Sequence, residues 1–247
     1  MRTREQPRSP LPARTLAEEV LVVLSLSLLA SAVFAIIDLL SAPLRGVTVA
    51  SVSQSPSLAR QVFGSLFGLA PVWLATYLVR RSGEGVAAIG LARDRPREDL
   101  LRGFLLFAVV GLGGIGVYLA SVGLGVNRFV VPVPPTGHWW TVPVLLLNAA
   151  EAALLEEVVV VAYLVTRLRQ LGLTEAGAIG SSALLRGAYH LYQGWGGFLG
   201  NLVMGLLFGF VFTRTRRAWP IVVAHFLLDV GAGVGYLLFR EHLPGFA

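Results

Sequence analysis

Two adjacent carboxylates, Glu156 and Glu157, sit inside the apolar run Leu154–Leu164. A charged side chain at the centre of a bilayer costs about 2.5–3.5 kcal/mol on insertion scales, so such residues are retained mainly for function. This pair constrains the chain more than any other feature. Its flanking sequence reads as one long helix, and the polar groups on that helix need partners from others.

The rest of the chain fits a membrane setting. It is 55% hydrophobic and 14% charged, against about a quarter charged in ordinary soluble domains. There is no cysteine, which excludes disulfides and thiol chemistry. All 20 basic residues are arginine, and they cluster at the ends of apolar runs. That placement suits lipid headgroups and topology control rather than nucleic acid.

In chain order, residues 1–15 read as a disordered cytoplasmic arm and 16–247 as a single membrane domain. The fold class is all-α, a polytopic transmembrane helix bundle with about seven spans. These are expected near Leu16–Leu40, Leu58–Val79, Leu100–Leu124, Val142–Leu168, Glu175–Tyr192, Gly197–Thr213 and Trp219–Phe239. The loops Ser41–Ser57 and Gly125–His138 are proline-bearing connectors, and Asp38 reads as interfacial. Gly111, Gly113, Gly114 and Gly116 in the third span are expected to pack a neighbouring helix closely. With the N-terminus cytoplasmic, fifteen arginines fall on inside segments, and four (Arg45, Arg60, Arg128, Arg240) fall outside. This is the positive-inside bias. The short fifth segment, interrupted by Gly177, Gly180 and Gly187, is the weakest span, and eight is the alternative count; an eighth span or a re-entrant segment would flip the C-terminus.

Downstream spans supply further polar groups. His225 and Asp229 are four apart and share a helix face. His190 lies on another helix, with Arg186 one turn before it. On an α-helix Glu156 and Glu157 would be about 100° apart. One is therefore expected to face a site and the other to pair elsewhere. A carboxylate and a histidine around one water can make a nucleophile, and a second histidine can donate to the oxyanion that forms on a carbonyl. Each group also has a plain structural use: His190 as a helix–helix hydrogen bond, His225 with Asp229 as a self-satisfied pair, and the glutamates as an ion pair with Arg186.

Taken in order, Glu156-Glu157, His190 and His225 with Asp229 resemble the motifs of the CAAX-processing and bacteriocin-processing (CPBP, or Abi) intramembrane glutamic endopeptidases. The likeness covers about Val142–Gly235, and a catalytic core at about 142–240 is expected. It implies that Glu156 is the general base and that His190 holds or activates the water. It further implies that His225 and Asp229 stabilise the oxyanion and that Glu157 orients the site. No cofactor is expected, with Glu156, His190 and His225 as the alternative zinc set. Two positions depart from the family pattern. Val161 stands where the first motif has arginine, and Arg186 stands where the second has an aromatic residue. A joint explanation is that the arginine partner of Glu157 has moved to the neighbouring helix as Arg186.

The expected function is hydrolysis of a peptide bond in a membrane-associated or prenylated (CAAX-type) protein or peptide. The alternatives are a non-catalytic membrane scaffold or bacteriocin-immunity protein of the same family, and a proton-coupled transporter. Partners would be the lipid bilayer and a membrane protein or peptide substrate, with no nucleic acid; the sequence leaves the oligomeric state open. All-arginine usage with abundant Ala, Gly, Val and Leu points to a GC-rich bacterial genome and its plasma membrane.

Overall fold

A computed structural model of the chain describes residues 9–41, 49–51, 55–127 and 129–239. Most of the expected N-terminal arm, much of the Ser41–Ser57 loop, and Arg45, Arg128, Arg240 and His242 lie outside the described residues.

Helix α1 (Ala13–Ser25) starts after Pro12 and is followed by α2 (Leu28–Ser41). The two are bent by 55°. At the bend Ser27 Oγ donates to the carbonyl of Val23 at 2.7 Å, a local bond that competes with helix geometry. Helix α3 (Leu58–Gly68) is capped by Ser57, and α4 (Ala70–Arg81) carries Pro71 in its first turn. Proline there lacks the donor that would continue α3 without a break. A 3-10 turn follows at Val86–Ile89, where a short amphipathic turn is expected from sequence. Helix α5 (Pro96–Gly123) opens with Glu98 and Asp99, which suit the positive end of the helix dipole.

The next helical run is continuous from α6 (Thr141–Leu154) through a π-helical stretch (Leu155–Tyr163) into α7 (Leu164–Gln170). Helix α8 (Glu175–Tyr189) is capped by Thr174 and ends in a 3-10 turn, Leu191–Gln193. Helices α9 (Trp195–Thr215) and α10 (Trp219–Phe239) complete the bundle. Strands β1 (Val49–Ser51) and β2 (Phe129–Val131) pair in parallel, Val49 opposite Phe129. This three-residue ladder is the only sheet among the described residues.

The π stretch is the axis of the molecule. Val158, Val159, Val160, Ala162 and Tyr163 have no exposed surface, as expected of a segment that is apolar all round apart from its glutamates. The axis packs on α4, α6, α7, α8, α9 and α10. Helix α5 is peripheral, with none of its most apolar window buried. Leu112, Val109 and Ile115 point outward from it. Of its glycine cluster only Gly111 lies against a neighbouring helix, where a Cβ would sit 3.5 Å from Leu228 of α10; at Gly113, Gly114 and Gly116 a Cβ would meet nothing within 4 Å. Gly103 makes the close approach instead, against Val223 and the carbonyl of Pro220 on α10.

By length and composition, four helical runs can cross a membrane: Leu58–Arg81, Pro96–Gly123, Trp195–Thr215 and Trp219–Phe239. The bent pair α1–α2 makes a fifth. The expected fourth and fifth spans fall outside this set for different reasons. Glu151, Glu156 and Glu157 interrupt the apolarity of the 141–170 run. Helix α8 has 15 residues, about 22 Å at 1.5 Å per residue, against about 30 Å of hydrocarbon.

Two arginines expected at the headgroups are instead folded into ion pairs. Arg167, with no exposed surface, pairs with Glu84, donates to Gln170 Oε1 at 2.6 Å and lies over the Tyr163 ring. Gln170 Nε2 donates to Glu84 in turn, at 2.6 Å. Burial alone would raise the Glu84 carboxyl, but the bonds from Arg167, Gln170 and Ser82 outweigh it and hold the carboxyl below its usual range. Arg217 clasps Asp99 with two bonds of 2.5 and 2.6 Å, and Asp94 with one of 2.8 Å. The segments leading into α5 and α10 are thereby tied together.

Candidate active site

Helices α8 and α9 form a tight antiparallel hairpin. Gly194, at φ 103°, supplies a backbone conformation that side-chain-bearing residues avoid, and the chain reverses there. Farther down, Gly205 of α9 lets the helices approach. A Cβ at that position would lie 2.9 Å from Ala183 Cα and 3.2 Å from Arg186 Cδ. The missing side chain leaves room for Arg186 to turn toward the axis.

Arg186 has no exposed surface and is the hub of the site. Its Nη1–H donates to Glu157 Oε1 at 2.6 Å, and its Nη2 lies 3.2 Å from Glu156 Oε2. The guanidinium also rests over the Phe208 ring of α9. Both glutamates therefore turn to one partner, contrary to the expectation that they diverge. The physical reason is the π stretch: i→i+5 bonding sets more residues on each turn, so neighbours lie closer in angle than on an α-helix. The planar fork of arginine then spans the two carboxylates.

The other groups gather around this hub. His225 Nδ1–H donates to Glu157 Oε1 at 2.7 Å, and Arg186 Nη2 is 3.3 Å from the same ring nitrogen. His225 Nε2 faces Asp229 Oδ2 at 3.5 Å, as their i,i+4 spacing requires. His190 Nδ1–H donates to the backbone carbonyl of Arg186 at 3.0 Å. That bond fixes the tautomer and leaves Nε2 as an acceptor.

Exposure separates the two glutamates. Glu157 is fully buried, whereas Glu156 keeps 9% of its surface. Glu156 lines a cleft of about 320 Å³ together with Tyr189, His190 and Tyr192, and α2 supplies the opposite wall through Leu28, Ser31, Phe34, Ala35 and Asp38. Glu156 and His190 can thus meet a molecule entering the cleft, while Glu157, Arg186 and His225 form the layer behind them.

Residues 138–231 match the family model described as type II CAAX prenyl endopeptidase Rce1-like. This stretch is of the CPBP endopeptidase type. No curated protein and no solved structure matches the chain. The match bears out the resemblance read from the motifs. It takes in α6 to α9 and most of α10, and so contains Glu156, Glu157, Arg186, His190, His225 and Asp229. The cleft wall on α2 lies outside it. With the long apolar helices, the CPBP match marks an integral membrane protein. Val161, at the CPBP arginine position, is buried at 1% exposure, and the guanidinium near Glu157 comes from Arg186 instead.

Glu156, Glu157 and His225 bring donor atoms within 4.8 Å of one another, a spacing that could hold a metal ion. His190, expected in the zinc set, is not in this group. The guanidinium already lies within 3.3 Å of all three residues. A divalent ion would sit beside a fixed positive charge, so the donor set in this arrangement does not fit zinc.

Two further residues belong to the site: Tyr189, which from sequence flanks His190 and could line a substrate entry, and Asp38. Tyr189 O–H donates to Glu156 Oε2 at 2.8 Å from a buried position, although from sequence it reads equally well as an interfacial anchor. Its signal was adjacency to His190 deep in an apolar segment. Asp38, read as interfacial, faces the same cleft as Glu156; only its seven-residue spacing from Ser31 hinted at that face.

Proposed function

We propose that the protein is an intramembrane endopeptidase that hydrolyses a peptide bond of a membrane-associated peptide or protein, prenylated substrates included. The observation that carries this reading is the cleft that Glu156 and His190 line together, with His190 Nδ1 already committed to the Arg186 carbonyl. In this mechanism Glu156 takes a proton from a water that His190 helps to hold, and the resulting hydroxide attacks the substrate carbonyl. His225, close behind Glu156 and backed by Asp229, stabilises the oxyanion. Glu156 then returns the proton to the leaving amine. Glu157 and Arg186 position the site: the guanidinium holds both carboxylates in register and supplies the fixed positive charge. No metal takes part. The chain sits in a bacterial plasma membrane with its N-terminus cytoplasmic. The family match supports the endopeptidase reading, the arginine distribution supports the orientation, and the guanidinium beside the carboxylates supports a metal-free site.

The test needs no known substrate. Wild type and Glu156→Ala are expressed in one host, and peptide termini from membrane and medium are compared by mass spectrometry. Termini present only with the wild type are expected. Identical termini at equal levels of folded protein would overturn the reading in favour of a scaffold or transporter.

A further inference from the structure

The wall of the cleft contributed by α2 carries a charge that the mechanism does not use. Leu28, Ser31, Ala35 and Asp38 recur at intervals of three, four and three, so they lie on one face of that helix. Ala32, Leu28, Tyr189 and Val160 pack together in an apolar cluster that holds this face against α8. Asp38 is exposed at the cleft and, among the described residues, pairs with no cation. Across the cleft stand Glu156 and the rings of Tyr189, His190 and Tyr192. Tyr189 and His190 are 4.7 Å apart, and His190 and Tyr192 are 6.1 Å apart. The lining holds two carboxylates and no arginine. The nearest guanidinium, Arg186, is committed to the glutamates behind the cleft.

Carboxylates beside aromatic faces are the chemistry that recognises a cation, and a guanidinium in particular. The same surface repels a carboxylate. The geometry points to a cleft that selects a peptide bearing an arginine or lysine side chain near the scissile bond, with Asp38 as the specificity-determining residue. This assignment rests on the endopeptidase reading for its biological meaning. It names the substrate class as a membrane-associated peptide with a basic side chain near the bond that is cut.

The test uses the full chain in lipid nanodiscs and short fluorescent, acylated apolar peptides that differ only in a central Arg, Gln or Glu. Their backbones are N-methylated so that they resist hydrolysis, and binding is read by anisotropy. The wild type is expected to bind the Arg probe about tenfold more tightly than the Gln probe, the effect of one charge-assisted contact. Asp38→Asn should bring the two within about twofold, and Asp38→Arg should favour the Glu probe. Equal binding of all three by the wild type, or an Arg preference that survives Asp38→Asn, would overturn the assignment. Because no cleavage is needed, loss of selectivity is distinguishable from failure of the endopeptidase reading, which the comparison of termini decides alone.

Discussion

Arg186 and Glu157 lie 29 residues apart in sequence, on neighbouring helices, and meet at 2.6 Å with neither side chain exposed. The pair stands where the family motif would place both partners on one helix. A buried ion pair of this kind adds little net stability over an apolar pair, but removing one partner strands the other at a cost of about 3–5 kcal/mol. Arg186→Met and Glu157→Gln should each lower the unfolding temperature in detergent sharply. The double variant should lose less than the sum, with a coupling of about 1 kcal/mol or more. Additive losses would dissolve the proposed partnership.

The two glutamates should separate in function. Glu156→Gln keeps the shape of a residue that faces the cleft and is expected to keep its unfolding temperature. It should lower the rate of appearance of wild-type-specific termini by about 10²–10⁴-fold, the range for loss of a general base. Glu157→Gln leaves Arg186 only the longer contact to Glu156 and removes the charged acceptor of His225, so it should act first on stability.

Packing at Gly205, beside Ala183 and the Arg186 side chain, can be probed by overfilling it. Gly205→Val places a side chain 2.9 Å from the α8 backbone and should destabilise by about 1–3 kcal/mol, the usual range for overpacking. Gly113→Ala, on the lipid-facing side of α5 with open space at Cβ, should be neutral or slightly stabilising. Unfolding temperatures of the two variants, measured side by side, check both.

Glu84 gives a pH test away from the apolar spans. The bonds from Arg167, Gln170 and Ser82 hold its carboxyl below the usual carboxylate range in the folded chain. A depressed folded value contributes stability above the unfolded value, and that contribution fades as pH falls through the folded one. Glu84→Gln should therefore cost about 1 kcal/mol at pH 7. The gap from wild type should narrow once pH drops below 4.5. Parallel unfolding curves at pH 7 and in mild acid would reveal this closing gap; a gap that widened in acid would contradict the pairing with Arg167.

Apolar runs and their arginine stops were legible because they are properties of short windows: the expected Trp219–Phe239 segment coincides with α10. The carboxylates and histidines were legible because charge inside such windows is costly. What escaped depends on distant parts of the chain. The choice of i→i+5 over i→i+4 bonding at Leu155–Tyr163 is not written in composition; with it both glutamates reach Arg186, although Glu156 alone lines the cleft. The burial of Arg167 and Arg217 depends on Glu84 and Asp99, 83 and 118 residues away. The place of Asp38 became visible only once α2 was laid against α8.

The π stretch also has a bearing on the far end of its helix. The same continuous run carries Glu156 and Glu157 at one level and Arg167 at another, and each is anchored to different neighbours. A helix held at two points has a definite rotational phase between them, and the wide turns set it. Ordinary α-winding of the same residues would turn each of them further round the axis and so rotate one anchor against the other. The carboxylates or the Glu84 clasp could then be in register, but not both, so the winding of this segment is as strictly specified as its chemistry.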